Sequence, residues 1–267
     1  MHESVSDLIN EAVRIILQNT SSAATLKKLD DKHSKKIHFI PKSYRIFGGT
    51  LQSMNIQFGN FIEQLMALLI KNDPRYEIIE KYSGKKSNKF KLSETNDIKI
   101  DAYISRCQNE NIGYCDTAFP ELLQSILDDE GQSLHDLSHD IDLLFRDVAT
   151  GVYYYLEVKY NDDHDTGKFV DINRKFIKTY AYLTREFDIK STTDLVPILF
   201  FFNNKKMKGN IYIPEGTYIK RGKQFFDEFL DVKYETVNEY MNKLSESDEN
   251  KAMFQALYQK VINSSAL

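Results

Sequence analysis

His139-Asp140-Ile141-Asp142-Leu143-Leu144-Phe145 and, after a short turn, Tyr153-Tyr154-Tyr155-Leu156-Glu157-Val158-Lys159-Tyr160 decide how this chain reads. The pattern predicts two strands, Ile141 to Phe145 and Tyr153 to Tyr160, flanking a turn at Asp147 to Gly151. Strand side chains alternate faces, so Glu157 and Lys159 point the same way, as do Asp140 and Asp142. With the turn centred near Ala149-Thr150, Asp142 and Glu157 are almost equidistant from it and fall roughly opposite one another. Two carboxylates and a lysine then share one end of a sheet face.

That grouping is unfavourable unless something uses it. Carboxylates directly opposite across a strand pair repel by roughly 0.2–1 kcal/mol relative to a neutral pair. A divalent cation between them removes the repulsion, and magnesium takes one or two carboxylates together with waters and a phosphate oxygen. An ion held there polarises a phosphate and helps to generate or position hydroxide for in-line attack. Lys159 beside it is a candidate to orient the attacking water or to stabilise developing charge. A Glu-x-Lys on a strand is ordinarily a solvated face. The aspartate-bearing strand, the near-symmetric turn and the helix that follows make this one a candidate active site.

Working outward, residues 5 to 29 read as helical, with Val5, Leu8, Ile9, Val13, Ile16 and Leu17 at helical spacing. Lys27 through Lys36 reads as a polar connector, and Ile37 to Phe47 as a short extended piece around Pro41. A helix is predicted from about Asn55 to Lys71, stopping before Pro74. Tyr76 to Ile104, including the alternating Ile98-Lys99-Ile100-Asp101-Ala102-Tyr103-Ile104, reads as strands joined by the polar turn Ser83 to Asn88. Residues 117 to 138 are expected to carry a helix, Pro120 to about Leu127, and a polar loop. Beyond the central hairpin come a helix from about Asp171 to Phe187 and the apolar strand Leu195 to Phe202. A hairpin near Tyr212 to Lys220 and two helices, 223 to 230 and about 234 to 262, close the chain. The sum is an α/β fold, read as one domain over residues 1–267 with a catalytic core at about 55–202 and a hairpin and helical tail at 203–267. The 141–160 strand pair is expected to form the catalytic edge of a mixed central sheet, flanked by the helices near 55–71 and 171–187.

Composition narrows the class. The chain has 267 residues, 42% of them hydrophobic, enough for one well-cored domain. Its 5 prolines and 11 glycines argue against a disordered or fibrous protein. The apolar runs Leu65 to Ile70 and Leu195 to Phe202 are far short of a membrane span. Met1-His2-Glu3-Ser4 carries no basic region before an apolar run, so no secretory signal is expected. Cys107 and Cys115 alone make neither a disulfide framework nor a zinc ligand set. A cytoplasmic setting is the default. The net charge of −4 neither supports nor excludes a nucleic-acid partner, because the local field in a cleft, not the total, holds phosphate.

The arrangement of Asp142, Glu157 and Lys159 resembles the PD-(D/E)xK nuclease superfamily: an acidic residue on one strand, then Glu-x-Lys on the next. His139 stands where the family's leading proline would be. Asp-Ile-Asp-Leu-Leu favours Asp142 as the matching aspartate, because Leu143 and Leu144 continue the strand directly behind it, and Asp140 is the alternative ligand. Family members often add a glutamate from the preceding helix, a role that Glu63 matches by order and context; its other reading is a helix-surface glutamate. Three stretches, Gly48 to Glu63, Glu157 to Lys168 and Ile172 to Phe176, resemble type II restriction endonucleases of the TdeIII and HinfI-like kind. The resemblance implies a restriction-endonuclease-like core and Mg2+-dependent cleavage of double-stranded DNA at a short palindrome with a central unspecified base pair. It also implies a cognate DNA methyltransferase in the host. Two active sites acting on a palindrome imply a two-fold homodimer, for which the helical tail is the candidate interface. The rivals are a repair or recombination nuclease of the same superfamily and a non-catalytic DNA-binding module on the same scaffold.

Candidate DNA contacts follow from position. The loop Asn161 to Lys168 leaves the catalytic strand at its Glu-x-Lys end, so Asn161, Asp162, His164 and Lys168 are expected near the scissile phosphate. Its acidic run requires a metal, pairing with Lys168 and Arg174, or cytosine amino groups. A lone loop histidine such as His164 is more often simply solvated. Asn173 and Arg174 belong to the next helix, whose charges an ordinary amphipathic helix would equally show to water. Lys205, Lys206, Lys208, Lys220, Arg221 and Lys223 form a second basic region opposed only by Glu215, with a solvated lysine-rich loop as the plainer reading.

Overall fold

The computed structural model describes residues 5–109, 113–208 and 212–264; Met1 to Ser4, on which the expectation of no secretory signal rests, lie outside them. The chain forms two compact units, Met1–Leu65 with Val232–Leu267, and Met66–Asp231.

The first unit is helical. α1 (Val5–Thr20) and α2 (Ala23–Ser34) are separated at Ser22, whose hydroxyl caps α2 by accepting from the Thr25 amide at 3.2 Å. The predicted single helix is thus two, and the lysine-rich connector is the second of them. α3 (Lys42–Lys71) begins directly after Pro41 and crosses the boundary between the units. Residues 42–47, expected as extended, form its first turns, because Pro41 at a helix start lacks only an N–H that would go unpaired there. In the C-terminal part of the chain α8 (Tyr234–Glu246) and α9 (Asp248–Ser264) divide the expected long helix at Ser247, whose hydroxyl accepts from the Asn250 amide at 3.2 Å. Leu26, Ile46, Met54, Leu257 and Val261 make this unit's core.

The second unit is built on a mixed sheet. β1 (Tyr76–Ile78), β4 (Leu143–Asp147), β5 (Tyr153–Lys159), β6 (Leu195–Phe201) and β7 (Ile219–Arg221) stand in the order β1-β4-β5-β6-β7. β1, β4 and β5 pair antiparallel, whereas β5-β6 and β6-β7 are parallel. The strands carrying the candidate site are therefore interior to the sheet, not at its edge: Tyr76 to Ile78 covers β4, and Leu195 to Phe201 covers β5. Pro197 sits in an interior strand without disrupting it. The Leu199 amide, two residues on, donates toward β7, to the Tyr218 carbonyl at 2.8 Å. The missing Pro197 N–H therefore faces the same side, where β7 has not yet begun.

A second sheet pairs β2 (Gly84–Ser93) with β3 (Leu134–Ile141). The expected turn at 83–88 is mostly strand, with the register shifting between Gly84 and Asn88, and β3 takes up part of the expected loop before 138. α4 (Glu94–Asn109) replaces the strand expected over 98–104. The Ser93 hydroxyl caps it, accepting from the Asn96 amide at 3.0 Å, and Ile100, Tyr103, Ile104 and Cys107 bury one helical face. α5 (Tyr114–Leu127) and α6 (Thr166–Glu186) complete the layer. Phe119, Leu123, Phe176, Ile177 and Tyr180 pack there with Leu144, Tyr155, Leu199 and Phe201 of the sheet. Phe145, Tyr154, Phe200 and Phe202 meet Phe225, Phe226 and Phe229 of α7 (Gly222–Phe229). No hairpin forms near 212–220 among the described residues; β7 instead adds parallel to β6. Among the described residues no helix is long and apolar enough to cross a membrane.

Candidate active site

Asp142 occupies the single residue between β3 and β4. Ile141 belongs to the small sheet, where it pairs with Gly84, and Leu143 to the large one, where it pairs with Leu156. Continuing the β4-β5 register by one step sets Asp142 opposite Glu157. One step further, Val158 would face Ile141, whose backbone has turned away. The Asp142 carboxylate fills that vacancy, its Oδ2 accepting from the Val158 amide at 2.7 Å. A carboxylate is thereby fixed at the corner where the chain passes from one sheet to the other.

The turn that sets this register is built for it. Asp147 Oδ1 accepts from the amides of Ala149 and Thr150 at 2.9 and 2.8 Å. Gly151 takes φ +80°, a conformation that favours glycine.

Lys159 closes the cluster. Its Nζ lies 2.7 Å from Glu157 Oε1 and 3.4 Å from Asp142 Oδ2, and donates to the Val158 carbonyl at 2.8 Å. Glu157 is held from its other oxygen, which accepts from the Tyr155 hydroxyl at 3.1 Å. Tyr155 is fully buried, and burial drives its hydroxyl well above the usual tyrosine range, so it stays a proton donor. Burial, reinforced by the Glu157 charge, raises the Asp142 carboxyl to about 6 despite the opposing pull of Lys159 and the Val158 amide.

The donor set is two carboxylates, which suit a hard divalent cation. Among the described residues no third carboxylate, histidine or cysteine joins Asp142 and Glu157 in a metal-binding group. Two carboxylates are what magnesium takes from a protein when waters and a phosphate oxygen complete its shell, so these residues fit that ion. Asp140 does not join them; its carboxylate accepts from the Ser87 amide at 2.6 Å. Glu63 lies on α3 in the first unit, partly exposed.

The expected DNA contacts divide by accessibility. Lys168, Lys205, Lys206, Lys208 and Lys223 are exposed, and Asn161, His164 and Arg174 are partly so. Asp162, Asn173, Lys220 and Arg221 are buried. Asn173 donates to the Phe169 carbonyl at 2.7 Å inside α6, and Lys220 pairs with Glu228 at 2.7 Å. The acidic loop is balanced by other partners than Lys168 and Arg174: Asp162 by Arg221 at 3.0 Å and Asp163 by Lys208 at 3.2 Å. Arg174 instead pairs with Asp101 at 2.7 Å. Asp165 caps α6 through the Lys168 amide at 2.9 Å, so that helix starts at Thr166, ahead of the expected Asp171. Nor does Glu215 stand alone against the second basic region, since Asp227 and Glu228 also pair with its lysines. Tyr155 was absent from the sequence-derived set, although its place two residues before Glu157 on one strand face signals the contact.

The family model described as type II restriction endonuclease, HinfI, matches residues 1–245. The chain is 63% identical over 262 residues to the type II restriction enzyme HinfI of Haemophilus influenzae, a match covering 98% of this chain and 99% of that one. No solved structure matches. A restriction-endonuclease fold and near-complete coverage agree, and the chain belongs to the HinfI family of type II restriction endonucleases, enzymes that cleave DNA at specific sites.

Proposed function

We propose that this endonuclease hydrolyses both strands of duplex DNA with Mg2+ at a short palindrome carrying a central unspecified base pair. It acts in the cytoplasm as a two-fold homodimer, one active site per strand, in a host whose methyltransferase protects the same site. The observation that carries this reading is the meeting of Asp142, Glu157 and Lys159 at the corner between the two sheets. Asp142 and Glu157 would hold the ion. A bound magnesium would supply Lewis-acid polarisation of the scissile phosphate and a lowered pKa for the attacking water.

Lys159 orients the attacking water and offsets charge as it develops on the phosphate. The Tyr155 hydroxyl fixes the Glu157 carboxylate, as a partner behind a metal ligand does. Lys168 and Lys205 offer exposed charge to phosphates, and Lys206, Lys208 and Lys223 do so by exchanging the carboxylates of Glu215, Asp163 and Asp227 for them.

The test is incubation of a long duplex of known sequence with purified protein, in magnesium and in EDTA, beside Glu157→Ala and Lys159→Ala. Discrete fragments that require magnesium and vanish in both variants are expected, with sequenced ends giving the site. A duplex left uncut across varied sequences refutes the proposal, and branched substrates then test the repair-nuclease alternative.

A further inference from the structure

β5, β6 and β7 run parallel, so Lys159, Phe201 and Arg221 end their strands on the same side of the sheet. Pairing continues past those ends: the Phe202 amide donates to the Lys159 carbonyl and the Asn203 amide to the Tyr160 carbonyl, each at 2.8 Å. Beneath the two loops that follow lies Asp162, with none of its surface exposed. Its Oδ1 accepts from the Met207 amide at 2.9 Å and its Oδ2 from Arg221 Nη2 at 3.0 Å. Arg221, stacked 5.0 Å from the Phe201 ring centroid, forks onto Glu215 through Nε at 3.1 Å and Nη2 at 2.8 Å. A second tie runs outside, where Lys208 Nζ donates to the His164 carbonyl at 3.1 Å.

Such a network is weak evidence for stability. A buried ion cluster is commonly matched or bettered by apolar side chains of the same volume. What charges add is direction, because a forked guanidinium between two carboxylates permits one loop arrangement. That arrangement ties the loop bearing Lys205, Lys206 and Lys208 to the segment three residues beyond Lys159.

We propose that Asp162 and Arg221 are positioning residues that lock the lysine-bearing loop 203–208 to the end of the strand carrying Lys159. DNA held by that loop is thereby set in register with the cluster that cuts it. The inference rests on the nuclease reading above and assigns neither side chain a contact with DNA, since both are buried.

Asp162→Asn keeps an acceptor for the Met207 amide and removes the charge facing Arg221; Arg221→Lys keeps the charge and removes the fork. Both are compared with the native protein on a duplex carrying the mapped site and on one altered at a single base pair. Melting temperature and amide exchange over 203–208 are followed in parallel. A displacement of about 1 Å at the reacting centre costs on the order of 100-fold. A fall of that order in kcat is expected, with KM little changed, weaker discrimination against the altered duplex and faster exchange at Met207. Native kcat and discrimination in folded variants overturn the inference. So does a loss of activity that disappears when the assay is run well below a lowered melting temperature. If Arg221→Lys does not fold, Asp162→Asn decides the matter by the same readings. A native protein that cuts no duplex overturns instead the nuclease reading on which the inference stands.

Discussion

Replacing Asp142 by asparagine should stabilise the metal-free protein while abolishing cleavage. The Asp142 side chain is 14% exposed, and burial together with the Glu157 charge raises its carboxyl from 3.8 to about 6. A rise from 3.8 to about 6 corresponds to about 3 kcal/mol. The folded state holds this proton more tightly than the unfolded state, so stability falls as pH rises from about 4 to about 6. The full loss is present at pH 8 and none of it well below pH 4.

Asparagine keeps an oxygen for the Val158 amide and carries no charge, so the variant escapes the loss. Its melting temperature in EDTA at pH 8 should exceed that of the native protein by roughly 6–12 °C, taking about 2–4 °C per kcal/mol for a chain of this size. The difference should shrink as the pH is lowered towards 4. Magnesium should stabilise the native protein and leave the variant unmoved, because only the former retains both carboxylates. An asparagine variant that melts at or below the native protein at pH 8, or whose gain does not change with pH, would refute the reasoning.

Three further outcomes are expected. Lys159→Ala should reduce the cleavage rate by about 10²–10³-fold, the range for loss of one charge-stabilising donor, while duplex binding measured by gel shift is retained. Tyr155→Phe removes the hydroxyl bonded to Glu157 and should raise the magnesium concentration for half-maximal rate by about 10-fold or more; a titration of initial rate against magnesium checks this. Ser93→Ala removes the cap of α4 and should lower unfolding free energy by about 1 kcal/mol without altering the rate, as read by urea denaturation beside the cleavage assay.

The geometry of the candidate site was legible in the sequence because its logic is local. Asp142 and Glu157 face each other through one turn, and the register Leu143↔Leu156 follows from counting outward from Ala149-Thr150. The sheet around it was legible as strand-like segments, but not its order, which depends on β1 and β7, each three residues long. Ile98, Ile100, Ala102 and Ile104 alternate as a strand would. The helical spacing of Ile100, Tyr103, Ile104 and Cys107 beneath the Ser93 cap prevailed, leaving Ile98 70% exposed. The acidic run after Lys159 hid two different jobs: Asp165 caps a helix, and Asp162 meets an arginine 59 residues away, a pairing no local pattern announces.

The corner at Asp142 also bears on how the chain can change in length. One residue separates a strand paired in the small sheet from a strand paired in the large one. An insertion or deletion between Ile141 and Leu143 would shift the strand on one side by a residue and turn its buried set toward the opposite face. The loop at Val148 to Thr150, on the far side of the same hairpin, lies outside the last strand pair, Arg146↔Tyr153, and is exposed at Val148, so extra residues there can bulge into solvent without displacing the pairs behind them. Insertions should therefore be tolerated at the tip of the turn and not between Ile141 and Leu143, and a library of single-codon insertions across 139–152 should divide along that line.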